Sequence, residues 1–573
     1  MLDYLKEYTR WKEREDLDSD VREALLKMED NDDEKKMWFS SDISFGTAGL
    51  RGIMTAGTNA MNVYTVGRAT QGIANLINSI GKADRGVAIA YDCRNNAERF
   101  AKVSAEVLAA NGVKAYIFES LRPTPVLSFA LRELNCIAGI NITASHNPSK
   151  YNGYKAYWED GAQLASEEAK TVAEYMSKTD IFDDVKRVDF DSAVKDGKIV
   201  IIGREIDEKY LKNVKEQAIY PELFEKVADT LKIVYTPLHG TGRVLVPEIL
   251  KQCGLKYLYT VDSQMAPNGN FPGTPNPNPE FPEVFEEGIK LAESVKSDLI
   301  IATDPDADRV GIMARKKDGE FTTLTGNQVG SLLLDYVITA YKEKGIKLEN
   351  PYAVKTIVST ELATKICKDN EVVIHNVLTG FKFIGEVIKN YEAKGYGDFM
   401  LGFEESYGYL KGTYARDKDA VVATMLICEM AAYYMQKNMT LYDALLALYE
   451  KYGYYFEGVQ NIYMEGLDGK EKMDAFMENL RNDPPKTMGG IKVTSVRDYK
   501  TGIITDVETG NTEPTGLPSS NVLYYVNANG DVVVVRPSGT EPKLKLYFLV
   551  NGETPEKANM ALAACKETMQ SYL

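Results

Sequence analysis

Three times in this 573-residue chain the same order of segments recurs: strand, helix, strand, helix, strand. The first run begins at Gly86 with GVAIAY, short and apolar like a buried strand. NNAERFAKVSAEVLAANG comes next, with Phe100, Val103, Val107 and Leu108 at helical spacing and Asn111-Gly112 as a stop; then come VKAYIF, a helix around VLSFALREL and the strand IAGINIT. The second run, from Leu231, reads KIVYT, a helix ending before Gly254, KYLYTV, a helix around PEVFEEGIKLAESV, and SDLIIAT. The third, from Tyr352, reads AVKTIV, ELATKICKDN, VVIHNV, FKFIGEVIKNYEAKG and DFMLGF. Short strands alternating with helices imply crossover connections, and so three α/β domains with mixed, largely parallel sheets. The stretch NVLYYVNANGDVVVVRPSGTEPKLKLYFLV, with a hairpin at NANG and a closing helix, reads as a smaller C-terminal α+β domain. The expected division is a helical extension over 1–40, then domains at 41–205, 206–320, 321–450 and 451–573, all facing a central cleft.

Composition removes whole classes of partner. A formal charge of -16 leaves no general basic face for nucleic acid or an anionic membrane, so any basic cluster has to be local. Six cysteines lie far apart with no CxxC, which suggests neither a disulfide framework nor a thiolate zinc site and fits a reducing cytoplasm. The first twenty residues are charged and helical in pattern, and nowhere do about 18 apolar residues run together. A cytoplasmic protein that neither spans a membrane nor is secreted is expected.

The chemistry is concentrated in the loop after the last strand of each run, because ligands of open α/β sheets sit beyond the carboxyl ends of strands. The first run ends in TASHNP, the second in TDPDADR, the third in GFEESYG. TDPDADR sets Asp304, Asp306 and Asp308 two residues apart; carboxylates that close repel unless a cation joins them, and hard oxygen ligands suggest Mg²⁺. A solvated acidic turn is the plainer alternative. An EF-hand is excluded, since Arg309 stands where that loop needs glycine and Arg315 where it needs glutamate. RPSGTEPK offers Arg536, Ser538, Gly539, Thr540 and Lys543 to a phosphate, or forms an ordinary β-turn. Glu404 and Ser406 suit sugar hydroxyls, or cap a turn; Arg416 and Lys418 in YARDKDA read in isolation as solvated surface.

Ser145 could simply cap a helix, and no GxSxG elbow makes it a hydrolase nucleophile. His146 could be its base, but neighbouring side chains in extended backbone point opposite ways, so the spacing alone does not support a Ser–His pair. Lys155 supplies a cation a few residues on. Together these parts suggest phosphoryl transfer, yet no GxxxxGK[ST] or GxGxxG provides a nucleotide donor. An enzyme that stores the phosphoryl group on itself needs none.

TASHNP, DPDADR, the EES loop and RPSGTEPK, in this order and one per domain, resemble the four signature loops of the α-D-phosphohexomutase superfamily, over roughly Phe45 to the C-terminus. FGTAGLRG, carrying Arg51, matches as well, and the N-terminal extension with FEESYG resembles the branch of phosphoglucomutases and phosphopentomutases. The resemblance implies a phosphoserine at Ser145 whose phosphate joins Asp304, Asp306 and Asp308 on Mg²⁺. It further implies that Arg309 and Lys155 stabilise the transferring phosphoryl, with Arg51 and Lys155 as acid/base candidates; His146 is kept among the catalytic candidates. Glu404 and Ser406 would hold sugar hydroxyls, Arg536, Ser538, Gly539 and Thr540 the non-reacting phosphate, and Thr379, Gly380 and Lys382 would sit where sugar orientation is distinguished, with Lys418 as a further substrate contact.

The implied activity interconverts glucose 1-phosphate and glucose 6-phosphate through glucose 1,6-bisphosphate, which would also act as activator. Pentose, mannose or N-acetylglucosamine phosphates fit the same scheme, although Tyr409 and Leu410 stand where relatives acting on both mannose and glucose often carry histidine. A phosphatase with an aspartate nucleophile and a non-catalytic sugar-phosphate binder are the other readings.

Overall fold

The computed structural model describes residues 3–47, 49–464, 469–538 and 543–572. It divides into two compact units, one of residues 1–324, 388–393 and 408–438, the other of 325–387, 394–407 and 439–573.

The first unit holds two sheets. In one the strands lie in the order Leu50–Ile53, Tyr151–Trp158, Ala138–Ile142, Val87–Tyr91, Ala115–Phe118, Ile199–Ile202. The last four are parallel, and Tyr151–Trp158 runs antiparallel to both its neighbours. Every residue of Val87–Tyr91 and Ala138–Ile142 is buried, which is why these read as continuous apolar runs: helices such as Ala97–Ala110 and Thr124–Glu133 cover the sheet. The antiparallel return pairs Lys155 with Asn141, so the lysine stands beside the end of the strand that leads into TASHNP.

The other sheet has the order Phe321–Leu324, Val310–Arg315, Leu299–Thr303, Lys232–Thr236, Tyr257–Thr260. Leu299–Thr303 and Val310–Arg315 form an antiparallel hairpin whose closing pair is Thr303 with Val310, so residues 304–309 are its loop. Helix Ala420–Met435 packs on helix Gly242–Cys253 in this unit, and its first amide donates to the Ala307 carbonyl at 3.2 Å. The N-terminal segment forms helices Tyr4–Lys12, Ser19–Lys27 and Asp32–Phe39. They close over Trp11, which meets Phe39, Tyr64 and Phe182 edge-on.

The second unit contains the parallel strands Val373–Val377, Tyr352–Thr356 and Phe399–Glu404. It also contains an antiparallel sheet in the order Tyr454–Tyr463, Lys543–Gly552, Val532–Pro537, Leu523–Asn527, Ile491–Asp498, Ile503–Asp506, Thr512–Pro514. The NANG hairpin and the closing helix Pro555–Gln570 stand where the sequence places them. The strands between 454 and 514 carry no such signal: Tyr454–Tyr463 is an edge strand, mostly half-exposed and interrupted by Gly458. Among the described residues no helix is long and apolar enough to cross a membrane, and the six cysteines are free, five of them buried.

Candidate active site

Ser145 comes after strand Ala138–Ile142 in a tight turn and is buried, with a backbone φ of 52° in the left-handed region. This corrects the extended geometry expected from the sequence. In a left-handed turn adjacent side chains need not diverge, and Ser145 Oγ stands 3.1 Å from His146 Nδ1. The same hydroxyl donates to Asp304 Oδ2 at 3.0 Å, joining the two signature loops of the first unit.

The DPDADR loop is folded around Asp304. Its Oδ1 accepts the amides of Asp308 at 3.1 Å and Arg309 at 3.0 Å, and Ala307 takes a φ of 49° to close the turn. From the first sheet's domain, Thr124 fastens the loop with its amide on the Asp306 carbonyl and its hydroxyl on Asp306 Oδ2, both at 2.9 Å. All three aspartates are buried, and one ligand oxygen from each lies within 4.8 Å of the others.

Lys155 Nζ reaches Asp306 Oδ2 at 2.7 Å and Asp308 Oδ2 at 3.2 Å; Lys418 Nζ reaches Asp308 Oδ2 at 3.3 Å. Burial works against charge on every one of these carboxylates. For Asp306 the Lys155 ammonium overcomes it and holds the group below the ordinary carboxylate range, and Lys155, Lys418 and Arg309 do the same for Asp308. Asp304 has no lysine partner, so burial and its two acidic neighbours push it well up. Asp306 Oδ1 and Asp308 Oδ1 are buried without a hydrogen-bond partner. An all-oxygen set with buried, unsatisfied carboxylate oxygens fits a hard divalent cation.

Around this cluster, Arg309 pairs with Glu280 at 3.2 Å, and Arg51 is exposed, its Nη1 donating to Asn147 Oδ1 at 3.2 Å. Burial and the charges of Arg309 and Arg51 push the His146 imidazole well below its ordinary value, so it is neutral. The solvated surface expected for Arg416 and Lys418 is also corrected: both are buried, Arg416 on Glu392 and Lys418 on Asp308 and Asp417. Asp419 brings them inward. It caps helix Ala420–Met435 and accepts the hydroxyls of Tyr210 and Tyr414, anchoring the segment in the first unit's core. Lys418 therefore stands beside the carboxylates of Asp308 and Asp417.

The remaining candidates belong to the second unit. Glu404 ends strand Phe399–Glu404 and is buried, Ser406 is half-buried, and Tyr407 has a φ of 67°. Thr379 and Gly380, the latter with a φ of 118°, lead into helix Phe381–Lys394, whose second residue is Lys382, and burial lowers the Lys382 ammonium from its ordinary value. Arg536 is half-buried near the end of strand Val532–Pro537, and the Ser538 amide donates to the Lys543 carbonyl at 2.8 Å. Gly539 and Thr540 lie outside the described residues.

Sequence reading missed Thr124, and it missed Arg94, a buried arginine whose guanidinium donates to carbonyls of the Ser145 loop. Neither adjoins a signature loop in sequence, so only the fold discloses them.

Comparison with known proteins gives a consistent result. Four family models match in order: phosphoglucomutase/phosphomannomutase alpha/beta/alpha domain I over residues 42–181, domain II over 208–319, domain III over 325–452, and the C-terminal domain over 487–565. A phosphoglucomutase of Staphylococcus saprophyticus is 35% identical over 547 residues, 95% of this chain and 97% of its own. One of Staphylococcus aureus is 36% identical over 518 residues, 90% and 91% of the two chains. Among solved structures, parafusin, a phosphoglucomutase of Paramecium, superposes with a TM-score of 0.67 at 18% identity, covering 93% of this chain and 95% of that one. A phosphoglucomutase/phosphomannomutase family protein of Burkholderia thailandensis superposes with a TM-score of 0.65 at 17% identity, covering 92% and 96%. At those identities the structures speak for the fold alone.

Proposed function

The chain belongs to the phosphoglucomutase/phosphomannomutase family, and from that membership we propose that it interconverts glucose 1-phosphate and glucose 6-phosphate through a phosphoserine at Ser145. The observation that carries the reading is the 3.0 Å contact between Ser145 Oγ and Asp304 within a buried cluster of three aspartates. Phosphorylated there, Ser145 would set its negative charge beside the three carboxylates, where a cation can offset both.

In this reading a sugar hydroxyl gives its proton to a base and attacks the phosphorus of phosphoserine, the bond to Ser145 Oγ breaks, that oxygen takes up a proton, and glucose 1,6-bisphosphate forms. The bisphosphate reorients and returns its other phosphoryl to Ser145. Asp304, Asp306 and Asp308, with the seryl phosphate, would hold Mg²⁺, which when bound neutralises charge on the phosphoryl oxygens. Lys155 and Arg309 offset the same charge from the protein side, as their distances from Asp306 and Asp308 permit. His146, whose Nδ1 stands 3.1 Å from Ser145 Oγ, is a candidate for proton handling as the hydroxyl, which donates to Asp304 Oδ2, attacks a bisphosphate. Arg51 is a second candidate for proton handling. Glu404 and Ser406 would hold sugar hydroxyls, Thr379, Gly380 and Lys382 would read sugar orientation, and Arg536, Ser538, Gly539 and Thr540 would hold the non-reacting phosphate. The free cysteines suit the cytoplasm, where sugar phosphates occur.

Initial rates on a panel of hexose and pentose 1-phosphates, with the cognate bisphosphate and Mg²⁺ added, test the reading. Glucose 1-phosphate should give the highest kcat/KM. A preference for ribose or mannose phosphate would move the substrate while keeping the chemistry; release of inorganic phosphate without isomerisation would remove the mutase assignment.

A further inference from the structure

Given the phosphoserine reading, on which this inference rests, Ser145 must present its oxygen in one direction through both halves of the cycle. Its backbone is in a conformation that a non-glycine residue keeps only when its surroundings impose it. We propose that Arg94 is the positioning residue that imposes it.

The Arg94 guanidinium gathers the carbonyls of the loop Ser145–Tyr151. Nη2 donates to the carbonyls of Ser145 and Asn147, and Nη1 to those of Pro148 and Tyr151 at 3.0 Å each. The third face of the fork turns to Asp92, whose Oδ2 is 3.3 Å from Nε and whose Oδ1 accepts the Arg94 amide at 2.8 Å; both side chains are wholly buried. Arg94 touches no candidate reacting atom, so it acts through the loop it ties together. A lysine could not replace it, because a point ammonium lacks the planar fork that meets several carbonyls at once.

The clamp is also seated by the domain that carries the aspartates. Phe271 lies under the guanidinium with its ring centroid 5.1 Å away, and Asn95 donates to Asn270 at 2.8 Å. A Cβ on Gly269 would come within 2.4 Å of the Asn95 nitrogen, so the two segments are in direct contact. Ser145 is thereby aimed by a residue held by the domain that carries Asp304, which keeps hydroxyl and carboxylates in register.

The test compares wild type, Arg94→Lys and Arg94→Ala, each dephosphorylated and then given glucose 1,6-bisphosphate, with Ser145 phosphorylation measured by peptide mass. For Arg94→Lys the phosphorylation rate and kcat should fall by about a hundredfold, as for a misplaced reacting group. KM for glucose 1-phosphate should stay near wild type. Added guanidinium ion should restore phosphorylation in Arg94→Ala, while methylammonium should not. Arg68→Lys serves as control: this buried arginine of the same domain holds Asp42 and the Met176 carbonyl, and its replacement should leave kcat unchanged.

A folded Arg94→Lys phosphorylated at the wild-type rate overturns the proposal. So does an Arg94→Ala protein whose folding, but not its phosphorylation, is restored by guanidinium. Wild type that takes no phosphoryl group on Ser145 overturns the phosphoserine reading and this inference together, so the two failures are distinguishable.

Discussion

Asp306 carries two jobs at once: Oδ2 is taken by Lys155 and Thr124, while Oδ1 is buried with no hydrogen-bond partner. Replacing it by asparagine removes one of three ligand charges, so Mg²⁺ affinity and turnover should fall together. Titrating activity against Mg²⁺ checks this, and wild-type activity of Asp306→Asn at low Mg²⁺ contradicts it. Asp92 gives a prediction in pH. Burial raises its carboxyl to about 6, with Arg94 opposing. The folded state therefore binds a proton that the unfolded state has lost between about pH 4 and 6, and the group's contribution to stability is full below that window and lost as pH rises through it. Melting curves of wild type and Asp92→Asn should show the wild type gaining on the variant as pH falls from 7 to 4; parallel curves would contradict the assignment. At this scale the signature loops were legible because their residues are close in sequence. Arg94, Thr124 and the inward turn of Lys418 were not, since each acts on a partner at least fifty residues away.

The loop that carries the aspartates is shaped by elements that lie against it. Gly240 precedes helix Gly242–Cys253, and a Cβ there would come within 2.5 Å of Pro305 Cα, while the Thr241 amide donates to the Pro305 carbonyl at 2.8 Å. Gly240→Ala should displace Pro305 and weaken Mg²⁺ binding by on the order of tenfold or more, as loss of support behind metal ligands does. A Mg²⁺ titration that overlays wild type would show that the loop absorbs the methyl group without moving its carboxylates. The three strand and helix runs could be read because buried parallel strands are uninterrupted apolar segments and their helices keep a period near 3.6. The antiparallel additions were harder. Tyr151–Trp158 holds Lys155 and Asn152 in a buried strand, polar residues that interrupt any apolar run, and Tyr454–Tyr463 presents an edge with mixed burial.

In the whole molecule, the N-terminal helices close on Trp11, which is fully buried between Phe39, Tyr64 and Phe182, while Arg10 pairs with Asp180 at 2.6 Å. Trp11→Ala should cost about 3–5 kcal/mol, as for large aromatic deletions, and lower the unfolding transition of the first unit. Calorimetry should show that transition shifted and activity at low temperature retained. A transition unchanged by the substitution would mean that the extension is not part of the first unit's cooperative core. The catalytic cycle as a whole depends on Ser145 as the phosphoryl carrier. Its most direct measurement is conversion of glucose 1-phosphate to glucose 6-phosphate by Ser145→Ala, with glucose 1,6-bisphosphate and Mg²⁺ present and the mass of the peptide containing residue 145 recorded in parallel. A phosphoserine cycle predicts a loss of on the order of a thousandfold or more and no phosphoryl increment on the variant, with acid-stable phosphorylation of Ser145 in the wild type. A Ser145→Ala protein that keeps most of its mutase activity would contradict it.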